Sequence, residues 1–182
     1  GYSSAASDVY KRQDDMWMGN TTQDPGEYRD LAHYTGNTYN AGNACQNFWQ
    51  YRYKGILRSN VAIEQIPKVV FENESLKKRY IAEAKFLRAF HYFELVRNFG
   101  GVPLVLGLKL PSEITGIKRA TVEDTYAQIE KDLLEAIPDL PKRSEYDAMD
   151  LGRATKGAAQ GYLAKAYLYL SLIHISEPTR RS

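Results

Sequence analysis

The sequence is poor in the residue types that carry covalent and metal chemistry. Its 182 residues include a single cysteine, Cys45, and three histidines. One cysteine cannot form an internal disulfide and is too few for a zinc site built from cysteines. The sequence also has no metal-spaced cluster of His, Cys and Asp, no G-x-S-x-G turn and no phosphate-binding glycine loop. We therefore expect no catalytic residues, no metal and no cofactor.

Long apolar runs and a strong charge of one sign are missing as well. No run approaches the ~18 consecutive apolar residues that a membrane-spanning helix needs. The formal net charge is +2, and it comes from residues 1–13 and 171–182, which leaves residues 14–170 neutral. Because the interior carries no excess of positive charge, we expect no nucleic-acid partner.

The two ends of the chain differ from its interior. Residues 1–13 and 171–182 show no periodicity that continues inwards, and they resemble translated adapter or vector sequence. We predict that both are non-native tails around one partial domain at residues 14–170. Native disordered tails are the alternative.

Aromatic residues are abundant, with 14 Tyr, 6 Phe and 2 Trp. Several of them lie in residues 14–43, a polar stretch that contains the turn sequence Asp24-Pro25-Gly26. This composition predicts a long N-terminal loop and not a helix. Loops without a function tend to be short, so a long loop rich in rings is a candidate for binding.

Apolar periodicity predicts four helices in the rest of the chain. The first covers about 44–66, and the second covers about 75–98 after a capping residue at Asn73. The third begins after Thr121, which with Asp124 resembles a capping box. The fourth covers about 155–170 and is rich in small residues, which allow close approach of a partner helix.

A glycine pair ends the second helix, and residues 102–106 predict a short extended segment. The predicted fold is all-α, a helical array whose last two helices resemble a tetratricopeptide pair.

Within the first helix, Asn60 interrupts an apolar stripe and would need hydrogen-bond partners, so we predict that it holds a neighbouring loop. A histidine in the apolar second helix is more typical of a core residue than of a ligand or base. The predicted structural core comprises Trp49, Tyr53, Asn60, Leu87, Arg88, His91 and Leu133.

Four blocks of sequence, in order, resemble the SusD/RagB family of outer-membrane glycan-binding lipoproteins. The first is the set Trp49, Tyr53, Ile56 and Asn60, and the others are AEAKFLRAFHYFELVRNFGGVPLV at 82–105, RATVEDTYAQIEKDLLEAIPDLP at 119–141 and GRATKGAAQGYLAKAYLYL at 152–170. The resemblance implies an all-α SusD-like scaffold with tetratricopeptide-like helix pairs. It also implies that this chain is an N-terminal-half fragment of a longer protein.

The resemblance further implies a non-catalytic protein on the extracellular face of the outer membrane. Such a protein is held by a lipid on a cysteine that would lie upstream of this chain. Cys45 does not fit that role, since no apolar signal segment precedes it. The implied partners are an oligosaccharide ligand and a SusC-like TonB-dependent transporter that receives it.

The loop at 14–43 suits carbohydrate capture. A sugar ring has a C–H face that can lie on an aromatic ring, and its hydroxyls need polar partners. We predict ligand contacts from Asp14, Asp15, Trp17, Tyr28, Arg29, Tyr34, Tyr39 and Asn43. The alternative is that the rings pack the loop onto the helices.

Two other functions are compatible with parts of the sequence. One is an intracellular helical-repeat scaffold that binds peptides. The other is a glycoside hydrolase that uses Asp14 and Asp15, although adjacent residues do not readily place two carboxyl groups on opposite sides of a bond. We expect binding without catalysis.

Overall fold

The computed structural model describes residues 43–176, and the side chains of residues 45–110 and 112–171. The chain divides into two compact units, Gly1–Tyr51 and Arg52–Ser182, and most described residues belong to the second. Every regular element of the described part is helical, so the predicted all-α class is confirmed. The α-helices are α1 (Asn43–Gln65), α2 (Glu74–Phe99), the short α3 (Pro111–Ile114), α4 (Val122–Ala136) and α5 (Lys156–Ser176). Single 3₁₀ turns occur at Ile66–Lys68, Arg143–Glu145 and Ala148–Asp150.

The helix starts follow the predicted capping residues. Asn73 Oδ1 accepts a hydrogen bond from the Leu76 amide at 3.1 Å, and Thr121 Oγ1 accepts one from the Asp124 amide at 3.0 Å. Each cap satisfies an amide that has no partner inside its own helix. Both predicted N-termini are therefore confirmed.

The last helix is longer than predicted. We expected it to end near residue 170, whereas α5 continues to Ser176. No proline or glycine lies between Leu170 and Pro178, so nothing local stops the helix near residue 170. The assignment of residues 1–13 and 171–182 as non-native tails stays a prediction.

Two adjacent glycines end α2 for different reasons. Gly100 has a φ of 70°, a conformation that glycine adopts without steric cost. A Cβ added to Gly101 would lie 2.1 Å from the carbonyl oxygen of Ala120, so this position has no room for a side chain. The Ala120 amide also donates to the Val102 carbonyl at 3.2 Å. The glycine pair thus turns the chain out of α2 and brings the start of the extended segment against residue 120.

Helices α2 and α4 pack against each other in antiparallel directions. Three contacts run in opposite chain order along them: Lys85 with Glu135, Arg88 with Asp132, and Phe93 with Tyr126. Helix α5 packs beside them through Tyr162, whose ring meets those of Phe86, Phe90 and Phe93 edge to face at 5.6–5.9 Å. These ring contacts join α5 to α2 beside the buried core, which includes Phe93, Ile129 and Leu133.

The predicted core is confirmed in part and wrong at one position. Asn60, Arg88 and Leu133 are buried, whereas Trp49, Tyr53 and His91 are only partly buried. Leu87 was predicted to be buried, but it is 46% exposed. Helix α2 is apolar on all sides near this residue, yet α4 and α5 cover only part of its circumference and leave the side of Leu87 open.

Candidate functional site

The predicted carbohydrate-binding residues fall almost entirely outside the described part of the chain. This applies to Asp14, Asp15, Trp17, Tyr28, Arg29, Tyr34 and Tyr39. Asn43 is the first residue of α1, and its side chain also lies outside the described residues. The role of these eight residues therefore stays a prediction.

Within the described part, the most tightly connected polar cluster is centred on Arg88. Its guanidinium donates from Nε and Nη2 to the two carboxylate oxygens of Asp132, at 2.7 and 2.6 Å. Gln128 donates to the same carboxylate at 3.0 Å. Burial alone would lower the pKa of Arg88, but its hydrogen bonds and ion pair with Asp132 raise that pKa above its usual value. Arg88 therefore stays charged, and its bidentate hydrogen bonds to Asp132 lie inside the helical array.

Asn60 connects this cluster to the chain that follows α2. Its Oδ1 accepts a hydrogen bond from Arg88 Nη1 at 2.9 Å, while its Nδ2 donates to the carbonyls of Val105 and Gly107 at 2.8 and 3.3 Å. Asn60 is completely buried. The prediction that this residue ties down a neighbouring loop is confirmed.

We call residues 103–108 the anchored segment, because side chains of α1 and α2 bond its backbone. Along α1, Tyr53 donates to Pro103, Asn60 donates to Val105 and Gly107, and Glu64 accepts from the Leu108 amide at 2.7 Å. The segment therefore runs parallel to α1. From Tyr53 to Glu64 the helix rises about 16 Å, and five extended residues span about 16 Å as well, so the two spacings match.

Tyr92 performs the same task from α2. Its hydroxyl accepts a hydrogen bond from the Val105 amide at 2.8 Å and donates one to the Val105 carbonyl at 3.0 Å. Burial raises the pKa of Tyr92 to about 12, against a smaller lowering by the backbone hydrogen bond with Val105. Burial likewise raises the pKa of Tyr53. Both hydroxyls therefore remain protonated and serve as structural donors.

His91, a residue of α2, packs its ring against α1 and does not change its protonation state near neutral pH. A Cβ added to Gly55 would lie 2.0 Å from His91 Nε2, so the ring sits directly on the α1 backbone. Burial, together with a smaller effect of the positive charge of Arg52, lowers the pKa of His91 to about 4. Its Nδ1 is buried and has no hydrogen-bond partner among the described residues. The ring is neutral and acts as a packing group, but its partial burial and its unpartnered Nδ1 confirm the predicted core role only in part.

A surface groove of about 370 Å³ lies between the start of α2 and the connection from α4 to α5. It is lined by Asn73, Ser75, Leu76, Arg79, Pro138, Asp139, Leu140, Pro141 and Glu145. Polar groups and proline faces together are compatible with a small hydroxylated ligand. However, Glu145 accepts from the Lys142 amide and Asn73 caps α2, so two of its polar groups already serve local turns.

Beside this groove, α2 carries a second ionic cluster, which is more exposed. Arg79 donates to Asp150 at 3.0 Å, and Arg153 donates to Asp150 at 2.7 Å and to Glu83 at 2.8 Å. The Arg79 guanidinium also lies 5.2 Å from the centre of the Tyr146 ring. We call these residues the surface cluster; its charges are paired with one another.

Sequence reasoning missed several residues of the Arg88 cluster and of the anchored segment. They are Glu64, Tyr92, Gln128 and Asp132. Asp132 carried a usable signal, since it lies between Ile129 and Ala136 on the buried side of α4, where a carboxylate needs a cationic partner.

The described residues contain no cluster of His, Cys, Asp and Glu arranged to hold a metal ion. Among the same residues, no helix is both long enough and apolar enough to span a membrane. What the described part provides is an α-helical scaffold whose buried polar side chains fix one extended segment.

Comparison with known proteins identifies the family of this scaffold. The SusD-like family, described as starch-binding and associating with the outer membrane, matches residues 4–168. The chain belongs to this family. The curated SusD-like protein P2 of Formosa agariphila is 33% identical over 122 residues, which are 66% of this chain and 23% of that protein.

Solved structures agree in fold. Surface glycan-binding protein A from Bacteroides uniformis matches 93% of this chain with a TM-score of 0.77 and 26% identity, over 36% of its own chain. A laminarin-binding SusD-like protein matches 92% of this chain with a TM-score of 0.73 and 30% identity, over 38% of its own chain. This chain therefore spans about a fifth of the curated relatives that it matches and little more than a third of these two solved chains.

Proposed function

We propose that the whole protein binds oligosaccharides at the outer membrane, does not cleave them, and passes them to a SusC-like TonB-dependent transporter. The observation that carries this proposal is the SusD-like family match over residues 4–168. The names of two structural relatives, a surface glycan-binding protein and a laminarin-binding protein, support a carbohydrate ligand.

The arrangement of charges in the described part supports binding without catalysis. Asp132 is bonded to Arg88 and Gln128, Glu94 to Arg97, and Glu83 to Arg153 and Tyr146. General acid and base catalysis needs carboxylates that face a substrate. These carboxylates instead hold the scaffold together, which fits a rigid support for ligand-binding loops.

We place the ligand contacts in the predicted loop at residues 14–43, with Trp17 and Tyr39 as stacking rings and Asp14, Asp15 and Arg29 as hydroxyl partners. The remaining predicted contacts are Tyr28, Tyr34 and Asn43. Anchoring on the extracellular face, by a lipid on a cysteine upstream of residue 1, is part of the same proposal.

Glycan titration of the full-length protein tests the proposal. Starch-type α-glucans and laminarin are titrated into the wild type and into Trp17→Ala and Tyr39→Ala, with ligand integrity checked by release of reducing ends. We expect saturable binding without cleavage, and a loss of affinity of about tenfold for each ring, equivalent to ~1.4 kcal/mol. Tyr167→Ala is the matched control, because Tyr167 is an exposed ring on α5 and lies outside the proposed loop.

Three results would contradict parts of this proposal. Unchanged affinity in both loop variants, with intact folding, would exclude the loop as the binding site. Release of reducing ends would exclude a non-catalytic role. Binding of the glycan without co-purification of a TonB-dependent barrel from membranes would remove the transporter from the proposal.

A further inference from the structure

The anchored segment turns alternate residues toward the helices up to the bend at Gly107. The backbone groups of these residues that meet α1 and α2 are the carbonyls of Pro103, Val105 and Gly107 and the amide of Val105. After the bend, the Leu108 amide also faces α1, where Glu64 accepts its hydrogen bond. In extended chain, the amide and carbonyl of one residue point to the same side, and those of its neighbours point to the other. The side chains of the two helices thus occupy the position of a neighbouring strand.

Within the described part of the chain, the opposite side of the segment is open at Leu104 and at the Leu106 amide. Among the described residues, nothing bonds the amide or carbonyl of Leu104 or the amide of Leu106. The carbonyl of Leu106 has one long contact, at 3.3 Å from Arg88 Nη1. Three unused groups on alternate residues are the pattern that a β-strand presents to the next strand.

The apolar side chains around this edge are also uncovered. Leu106, Leu108 and Leu110 follow one another at a spacing of two and are 43%, 39% and 67% exposed. Proteins normally protect an extended apolar edge with charges, proline or a covering element, because an open edge promotes aggregation. Here Pro103 and Lys109 lie at the two ends, and leucines occupy the middle.

We propose that this open edge receives an extended strand from the same polypeptide, contributed by the part of the protein that SusD-like relatives have in addition to the region matched here. The length argument supports an intramolecular strand: 92–93% of this chain aligns with only 36–38% of two solved relatives. The edge is fixed by buried side chains before the strand arrives, so pairing costs little ordering of the receiving segment. This inference does not depend on the proposed carbohydrate ligand.

Amide hydrogen exchange of the full-length protein tests the strand. The inward amides of Val105 and Leu108 are internal controls, since Tyr92 and Glu64 accept their hydrogen bonds. We expect the outward amides of Leu104 and Leu106 to exchange at least 100-fold more slowly than unstructured amides, at every protein concentration. Exchange at the unstructured rate beside protected controls would overturn the proposal. Protection that disappears on dilution would assign the edge to a second copy and would overturn it too.

Photo-crosslinking identifies the occupant. A benzophenone amino acid replaces Leu106 in the full-length protein, and the same replacement at the fully exposed Met149 is the control. We expect an intramolecular crosslink from position 106 to a peptide outside residues 1–182, and none from position 149. A crosslink from position 106 only to residues 1–182, or only to another protein, would contradict the proposal.

Discussion

Helix α2 takes part in two arginine–carboxylate clusters that differ mainly in their contact with water. Arg88 and Asp132 form a bidentate pair inside the helical array, with the Asp132 side chain 1% exposed. Arg79, Glu83, Asp150 and Arg153 form the surface cluster, in which the Asp150 side chain is 26% exposed. The residue types are the same and the distances are similar, at 2.6–3.0 Å.

This difference indicates that exposure to water, and not contact distance, determines how much such a cluster contributes to stability. A buried charge that loses its partner cannot recover its hydration, so each partner in the Arg88 pair depends on the other. At the surface, water and salt replace a lost partner. The pKa of Asp150 is lowered by hydrogen bonds from Arg153 and Arg79, yet its carboxylate would be hydrated without them.

Removal of Asp132 should have the largest effect. Asp132→Ala leaves the Arg88 guanidinium buried without its counter-charge, and we expect a loss of about 3–5 kcal/mol in the free energy of unfolding. Urea unfolding of the full-length protein, followed by circular dichroism, measures it. Asp132→Asn keeps the shape and one acceptor and should lose less. A loss below about 1 kcal/mol for Asp132→Ala would show that water reaches the pair.

Lowering the pH should reduce the free energy of unfolding through His91, which also lies on α2. Its folded-state pKa of about 4 lies below the ordinary 6.5, so the unfolded chain takes up a proton first as the pH falls. Stability is therefore complete above pH 6.5 and declines between 6.5 and about 4, by roughly 2–3 kcal/mol. Unfolding free energies measured across this range test the decline. The variant His91→Leu should flatten this part of the profile; an unchanged slope would assign the decline to other groups.

The bridge between Tyr92 and Val105 should contribute less than the ion pair. Tyr92→Phe keeps the ring and removes the hydroxyl that bonds both the amide and the carbonyl of Val105, and we expect a loss of about 1–2 kcal/mol. Tyr162→Phe is the matched control, since no described residue bonds the Tyr162 hydroxyl. It should change stability by less than ~0.5 kcal/mol. Equal losses in both variants would argue against the bridge.

The smallest effect should come from the surface cluster. Asp150→Ala removes the acceptor shared by Arg79 and Arg153, and both arginines remain hydrated. We expect a thermal midpoint close to that of the wild type, with any difference disappearing in high salt. A salt-independent loss as large as that of Asp132→Ala would remove the contrast between the two clusters.

Local patterns in the sequence were sufficient to predict the long helices of the scaffold. The four long helices and their caps at Asn73 and Thr121 depend on periodicity and on residues within one turn, and the structure confirms them. Asn60 was predictable for a related reason, because an amide on an apolar stripe needs partners. The SusD-like blocks likewise predicted the family that the comparison identifies.

Features that depend on distant parts of the chain were not predictable in the same way. The pairing of Arg88 with Asp132 requires α2 and α4 to face each other at one register, which periodicity alone does not specify. Leu87 was predicted wrongly because a helix that is apolar on all sides does not indicate which side stays uncovered. The binding loop at 14–43 rests on composition and physical chemistry, and its role stays a prediction.

The equal spacings along α1 and the anchored segment have an evolutionary consequence. One residue inserted between Pro103 and Leu108 would displace the carbonyls that Asn60 bonds. It would also turn the amide and carbonyl that Tyr92 bonds to the opposite side of the segment. Length variation among family members should therefore be rare inside this stretch and collect after it, in residues 109–120. An alignment of many relatives should show gaps there, next to an ungapped hexapeptide.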